Sequence, residues 1–400
     1  MKKIFTILAL TGVITACGGN DSSDNSSTPN PPVTKTGILT DGVISGVSYS
    51  TNSGLTGMTG ANGEFQYKDG DKVKFTIGSV QLGDEITAQA RVTPLDLAQE
   101  DNRRTNLLVF LQSLDRNRQH DDGISVDKDT SDALKGVTIN FNQSPANFII
   151  DPVFITSLTN AKLPTTPISP EQAKKNFQKA FYKDIAGVWQ FFDNSDTQVP
   201  EVLIYIAEDG TYYLGEFTPE DDVGAPGIEV GKLNWDAINT KISPSIEEDS
   251  NGEWGLSHPI GYHTLGFDGN NLIIGEPNIQ ETYIGTRVSN KADNIVGSWI
   301  YTDDANQVFS FFESGYYIML DPAGDTYAQP GEPPCGGAGV EFGKYTINNQ
   351  ILNIHNVSID TNGCAGIHDE DGASNLPFSI NKDKLELGSE NGTAKFDRIQ

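Results

Sequence analysis

The chain has 400 residues, with 27 Lys+Arg against 54 Asp+Glu and a formal net charge of -27. That length divides into two or more domains, each able to bury a core, and 41 Gly with 19 Phe exclude a chain disordered throughout. The acidity excludes a general nucleic-acid binder and charge-driven adhesion to anionic lipid, because both need clustered Lys and Arg.

Residues 1–16 read as a targeting segment. Lys2 and Lys3 form a basic start, Ile4 to Val13 an apolar core, and Ile14-Thr15-Ala16-Cys17 places small residues before a cysteine. This run resembles a bacterial lipobox, which implies cleavage before Cys17 and lipidation of Cys17. Gly18, Gly19 and Asn20 follow, with no Asp directly behind the cysteine. The resemblance to Gram-negative lipoproteins then implies delivery to the outer membrane, on its periplasmic or its cell-surface side. No other apolar stretch is long enough to span a bilayer, so the lipid is the expected hold on the membrane. Residues 17–36 are rich in Ser, Asn, Pro and Thr, a composition that makes no core and reads as a flexible tether.

Residues 37–92 read as a small β-module. Val73, Phe75 and Ile77 alternate with Lys74 and Thr76, and Asn62-Gly63, Asp69-Gly70 and Leu82-Gly83 supply turns. The run Gly57-Met58-Thr59-Gly60-Ala61-Asn62-Gly63-Glu64-Phe65 is similar to the turn of carboxypeptidase-regulatory-like β-sandwich modules, although that family usually has an acid where Gly60 stands. The resemblance implies a positive φ at Gly63 and a core plug at Phe65. Residues 93–183 read as helical. Thr93-Pro94, Asp151-Pro152 and Ser169-Pro170 each pair a capping residue with Pro at the first helical position, and Gln172 completes a capping-box pattern with Ser169. Leu107, Phe110, Leu111 and Leu114 share one helical face, as do Ala173, Phe177, Ala180 and Phe181, and both stripes read as core. Asp115 to Gly123 reads as a helix-ending turn.

The remainder repeats. Gly187-Val188-Trp189 returns as Gly297-Ser298-Trp299, and Gly210-Thr211-Tyr212 as Gly315-Tyr316-Tyr317. Gly227-Ile228-Glu229-Val230-Gly231-Lys232 returns as Gly339-Val340-Glu341-Phe342-Gly343-Lys344, and Asn251-Gly252-Glu253-Trp254-Gly255 as Asn362-Gly363-Cys364-Ala365-Gly366. The offsets are 110, 105, 112 and 111, which marks two domains, 184–290 and 291–400. Val202, Ile204 and Ile206 alternate, with Phe309 and Phe311 matching them. Regular short strands at this length predict a closed barrel or a sandwich. The opening Gly-x-Trp, then an apolar strand and a Gly-Tyr turn, resembles a lipocalin-type barrel. That likeness implies two tandem calycin-like antiparallel β-barrels, each with its Trp closing one end. The whole is similar to proteobacterial outer-membrane lipoproteins built from such repeats, some of which are called adhesins.

Acidity concentrates on the repeats: residues 184–290 hold 19 acids and 3 Lys+Arg, and residues 291–400 hold 16 and 6. Such charge serves solubility first and cation or basic-partner binding second. Glu229 and Glu341 are the repeated acids. On a strand each shares a face with its flanking glycines, opposite Ile228/Val230 or Val340/Phe342. We expect the apolar pairs to face the lumen and both Glu to face solvent. A covered outer face would instead bury them as functional acids. Trp254, in a Gly-bounded turn, is the best sugar-stacking candidate among four Trp. Asp221 and Asp222 beside Glu220, and Asp369 and Asp371 around Glu370, are candidate calcium ligands, since calcium needs several converging oxygens; no cofactor is expected, with calcium as the one alternative.

Cys335 and Cys364 are the cysteines left after lipidation. Outside the cytoplasm such a pair forms a disulfide, here closing a loop of about 30 residues for roughly 3 to 4 kcal/mol in the chain-entropy model. A nucleophilic Cys364 near His368 is the alternative. His120, His258, His263, His355 and His368 match no H-E-x-x-H or other zinc spacing, and there is no G-x-S-x-G elbow, P-loop or dinucleotide fingerprint. The sequence therefore predicts a mainly β, multidomain, non-enzymatic envelope protein with a binding or adhesion-type role toward a protein or glycan. A carrier of a small ligand or metal in a barrel lumen is the alternative, and a carboxylate-dependent hydrolase the second.

Overall fold

The computed structural model describes residues 33–192, 199–302, 306–324, 336–363, 366–368, 375–389 and 392–400. Cys17, Cys335, Cys364, Asp369 and Asp371 lie outside the described residues. The fold is mainly β, with several sheets and few helices. Among the described residues no helix is long and apolar enough to cross a membrane.

The β-module has two sheets. One is the three-stranded order Glu64–Lys68, Thr34–Leu39, Arg91–Val92; the other centres on Lys72–Ile77 paired with Ser48–Thr51. Phe65 from the first meets Phe75 of the second edge-on at 5.1 Å, and both are fully buried, as are Val73 and Ile77. Gly63 has φ +77°, as the turn resemblance implies. With Gly60 in place of an acid, Glu64 serves the turn instead: its Oε2 accepts from the Asn62 amide at 2.9 Å.

Five helices follow: α1 (Asp101–Leu114), α2 (Lys128–Ala133), α3 (Pro145–Phe148), α4 (Pro152–Asn160) and α5 (Pro170–Ile185). Asp151 accepts from the Val153 and Phe154 amides, and Ser169 from Gln172, so those two predicted starts exist. Ser144-Pro145 opens α3 with the same chemistry. Thr93-Pro94 does not start a helix. The Asp96 carboxylate takes both the Thr93 amide and hydroxyl at 2.7 Å, which closes a turn, and α1 begins eight residues on from Thr93 without a side-chain cap. The capping box is half made, because the Gln172 side chain donates to Asn176. α1 carries more than a stripe: every residue from Thr105 to Leu114 is buried, because α5, α3 and the strand Ile124–Ser125 pack around it.

The second repeat is a closed eight-stranded antiparallel barrel from Gly297–Tyr301 to Gly392–Arg398. The first is a curled nine-stranded sheet whose path begins at Lys241–Ile242 and ends at Ser245–Asp249. This corrects the expectation of two closed barrels. In the second repeat one strand, Ile351–Asp360, pairs on both sides; in the first, the matching stretch is broken by Ser243-Pro244. Proline has no N–H to donate, so the ladder is interrupted there.

The two repeats pack outer face to outer face. Leu203, Ile228 and Val230 of the first share a buried cluster with Ile318, Leu320 and Val340 of the second. Equivalent strands meet, Thr211–Glu216 against Tyr316–Asp321 and Gly227–Lys232 against Gly339–Asn348, an arrangement like an isologous dimer within one chain. The core of the first repeat is continuous with the helices and the β-module. The second has its own core of Trp299, Phe309, Phe311, Tyr317 and Met319. The sequence boundaries at 92 and 183 therefore separate element types within one core.

Candidate functional site

Each repeat opens on the same fastening. The Trp189 indole donates to Ile185 O, and Trp299 to Ile295 O, both at 2.8 Å. An arginine from the last strand covers each ring: Arg287 lies 4.3 Å from the Trp189 centroid and Arg398 3.9 Å from that of Trp299. Their guanidinium groups donate to Asp184 O and Ala186 O, and to Asn294 O and Val296 O. Gly187 and Gly297 have φ +133° and +131°, and a Cβ at either would strike the arginine. Both Trp residues are fully buried; Arg287 and Arg398 were not singled out from sequence.

The repeated acids sit on another strand of each repeat. Glu229 and Glu341 are fully buried, which corrects the expectation that they face solvent. The outer face is covered by the other repeat, so Ile228, Val230 and Val340 take that side and the strand alternation turns each Glu inward. Tyr212 Oη donates to Glu229 Oε1 at 2.5 Å, and Tyr317 donates to Glu341 in the same way. Burial, then the charge of the facing carboxylate, pushes both phenols well above their ordinary range, so they remain donors. The Leu256 and Ser257 amides also donate to Glu229, at 3.1 and 3.0 Å. Glu341 is pushed up to about 7 by burial, against the pull of the Tyr317 hydroxyl and with the charge of Asp360 adding to the rise.

A loop covers each acid. Gly255 and Gly366 lie so close that a Cβ would come 2.6 Å from Glu229 Oε2 and 2.2 Å from Glu341 Oε2. Asp249 pairs in register with Glu229, and Asp360 with Glu341, beside a matching bulge. Ser250 Oγ accepts from the Ile228 amide and Thr361 Oγ1 from the Val340 amide. Asp249-Ser250-Asn251-Gly252 and Asp360-Thr361-Asn362-Gly363 are thus one repeated motif. Extending the Asn-Gly match two residues backward would have found these acids in the sequence.

Further acids line the first repeat. Glu216 is buried and pushed up to about 8, by burial first and then by the charges of Glu201 and Glu229. Buried Glu276 stands 3.8 Å from His263, whose own burial lowers its affinity for a proton. Asp321 of the second repeat, fully buried, accepts from the Ala323 and Gly324 amides.

The other candidates serve their own loops. Trp254 is 5% exposed, with its indole against Gly224, so it fills the loop and offers no open stacking face. Asp221 Oδ1 accepts from the Val223 and Gly224 amides and shapes its own turn, and Asp222 is exposed. Among the described residues, the three potential metal ligands that converge are Glu229, Asp249 and His258, with one donor atom each within 4.8 Å of the others. A surface groove of about 390 Å³ beside Glu100, Asn102, Arg103 and Asn142 contains none of the repeated acids. No family model matches the chain, and no curated protein matches it.

Proposed function

We propose that the protein is a lipid-anchored, non-enzymatic binding protein of the outer membrane, which takes its ligand at the loop-covered, acid-lined ends of its two β repeats. The observation that carries this reading is the same arrangement built twice, Tyr212–Glu229 beneath Gly255 and Tyr317–Glu341 beneath Gly366. A buried carboxylate is costly to a fold that needs only packing, and two copies of one supply cation- or donor-seeking sites. The lumen of the second repeat is filled by Trp299, Phe309, Phe311, Tyr317 and Met319, which favours binding at the acid-lined ends over carriage of an apolar molecule. Glu216 and Glu341, two of the acids with raised proton affinity, are buried among the described residues, which supports binding ahead of a hydrolase of carboxylate type working in an open cleft.

Native mass spectrometry of the lipid-free chain beginning after Cys17 tests the binding role. Mass beyond the chain that is lost on denaturation, and lost also when Glu229→Gln and Glu341→Gln are combined, is the expected result; a bare chain counts against it. Cys17→Ser tests the anchor, with transfer from the membrane pellet to the soluble fraction expected.

A further inference from the structure

We propose that Glu229, Asp249 and His258 form a site for a divalent cation of the zinc class, where the acid-lined end of the first repeat opens to solvent. This rests on the binding reading above and names the ligand class at one of its two ends.

Three observations converge on it. One donor atom from each of the three side chains lies within 4.8 Å of the others, Glu229 from the interior and Asp249 and His258 from the exposed rim. Asn251, fully buried, has neither its side-chain oxygen nor its nitrogen hydrogen-bonded among the described residues. Its amide and the carboxylate both lie against Gly255: the point where that residue would carry a Cβ is 2.6 Å from Glu229 Oε2 and 3.1 Å from Asn251 Nδ2. Glu229 is also held in the manner of an oriented ligand, by the Tyr212 hydroxyl and the Leu256 and Ser257 amides. Ser257 Oγ bridges the rim, 2.7 Å from His258 Nδ1 and 3.4 Å from Asp249 Oδ2.

The donor types select the ion. Two carboxylates and an imidazole suit zinc and its neighbours, whereas calcium takes six to eight oxygens and gains nothing from a ring nitrogen. Two carboxylates neutralise a divalent charge, and the surplus of 19 acids over 3 Lys+Arg in residues 184–290 draws cations toward the repeat. The second repeat has the same side chains in Glu341, Asp360 and His368, with His368 Nδ1 4.0 Å from Asp360 Oδ2. Its imidazole follows the loop glycine one residue sooner, and among the described residues no trio there closes as Glu229, Asp249 and His258 do.

Zinc titration of the chelator-treated, lipid-free chain, by calorimetry and by cobalt absorption, tests the site. The expected result is one equivalent bound at micromolar or tighter affinity. His258→Ala and Asp249→Asn, both at the rim, should weaken it at least tenfold while circular dichroism stays unchanged, and His368→Ala should leave it intact. Unchanged affinity in folded His258→Ala overturns the assignment, as does calcium displacing zinc at equal concentration. If no zinc binds but an organic mass accompanies the chain in native mass spectrometry, the metal site falls and the binding reading stands. A bare chain that takes no zinc ends both.

Discussion

Arginine 287 shows how much one side chain can hold. It covers Trp189 and caps the carbonyls of Asp184 and Ala186, joining the last strand of the first repeat to its first strand and to the end of α5. Arg287→Ala should cost about 2 to 4 kcal/mol, a stacked cation and two charged hydrogen bonds together. Arg287→Lys should recover little, because lysine has no planar fork. Urea denaturation reads both. Glu216 makes a separate prediction in pH. Its folded carboxyl is pushed up to about 8, while the unfolded one titrates near the ordinary value of 4.5. Between those values the folded state holds a proton that the unfolded state has released. Stability therefore falls as pH rises through that window, by up to about 1.4 kcal/mol per unit. Glu216→Gln should flatten this slope in denaturation midpoints taken from pH 5 to 8.

The loop from Asn251 to Gly255 is the element that turns a strand residue into a buried site. Gly255 has φ +88° and leaves no room beyond Glu229 Oε2. Gly255→Ala should displace the carboxylate and cost more than about 2 kcal/mol through strain and overpacking. Gly266→Ala, in the strand His263–Phe267 with open space around it, should change thermal stability by less than about 0.5 kcal/mol. Much of this element was legible: the Asn-Gly-x-x-Gly spacing, the paired Glu and the Gly-Tyr turns all repeat in the chain. The convergence of His258 was not, because it comes from a rim turn with no fixed spacing to Glu229. The start of α1 was missed for a local reason, since Asp96 competes for the Thr93 donors and wins with two hydrogen bonds.

At the scale of the molecule, the first repeat depends on what precedes it. Phe181 of α5 stacks on Trp235 at 3.9 Å, Tyr182 Oη accepts from the Trp235 amide at 2.9 Å, and Gln178 donates to its carbonyl. A chain beginning at residue 184 loses all three contacts and the lid of that core. It should fail to give the cooperative melt of the chain beginning at residue 33, and differential scanning calorimetry separates the two. The β-module is joined to the helices as firmly: buried Asp41 accepts from Gln112 at 2.9 Å and meets His120 at 2.9 Å.

The repeat, the β class, the helix starts at Asp151 and Ser169, and the turn at Gly63 were all readable from the residues, because each rests on local spacing or a backbone preference that neighbours cannot alter. The sequence also placed the acids on the two repeats. Which way Glu229 and Glu341 point depends instead on how the repeats pack. A strand with apolar residues on one face and an acid on the other is satisfied by water on either side until something covers one of them. Here the second copy covers the apolar face, and the carboxylate is left to face inward, where Tyr212 or Tyr317 and the loop meet it.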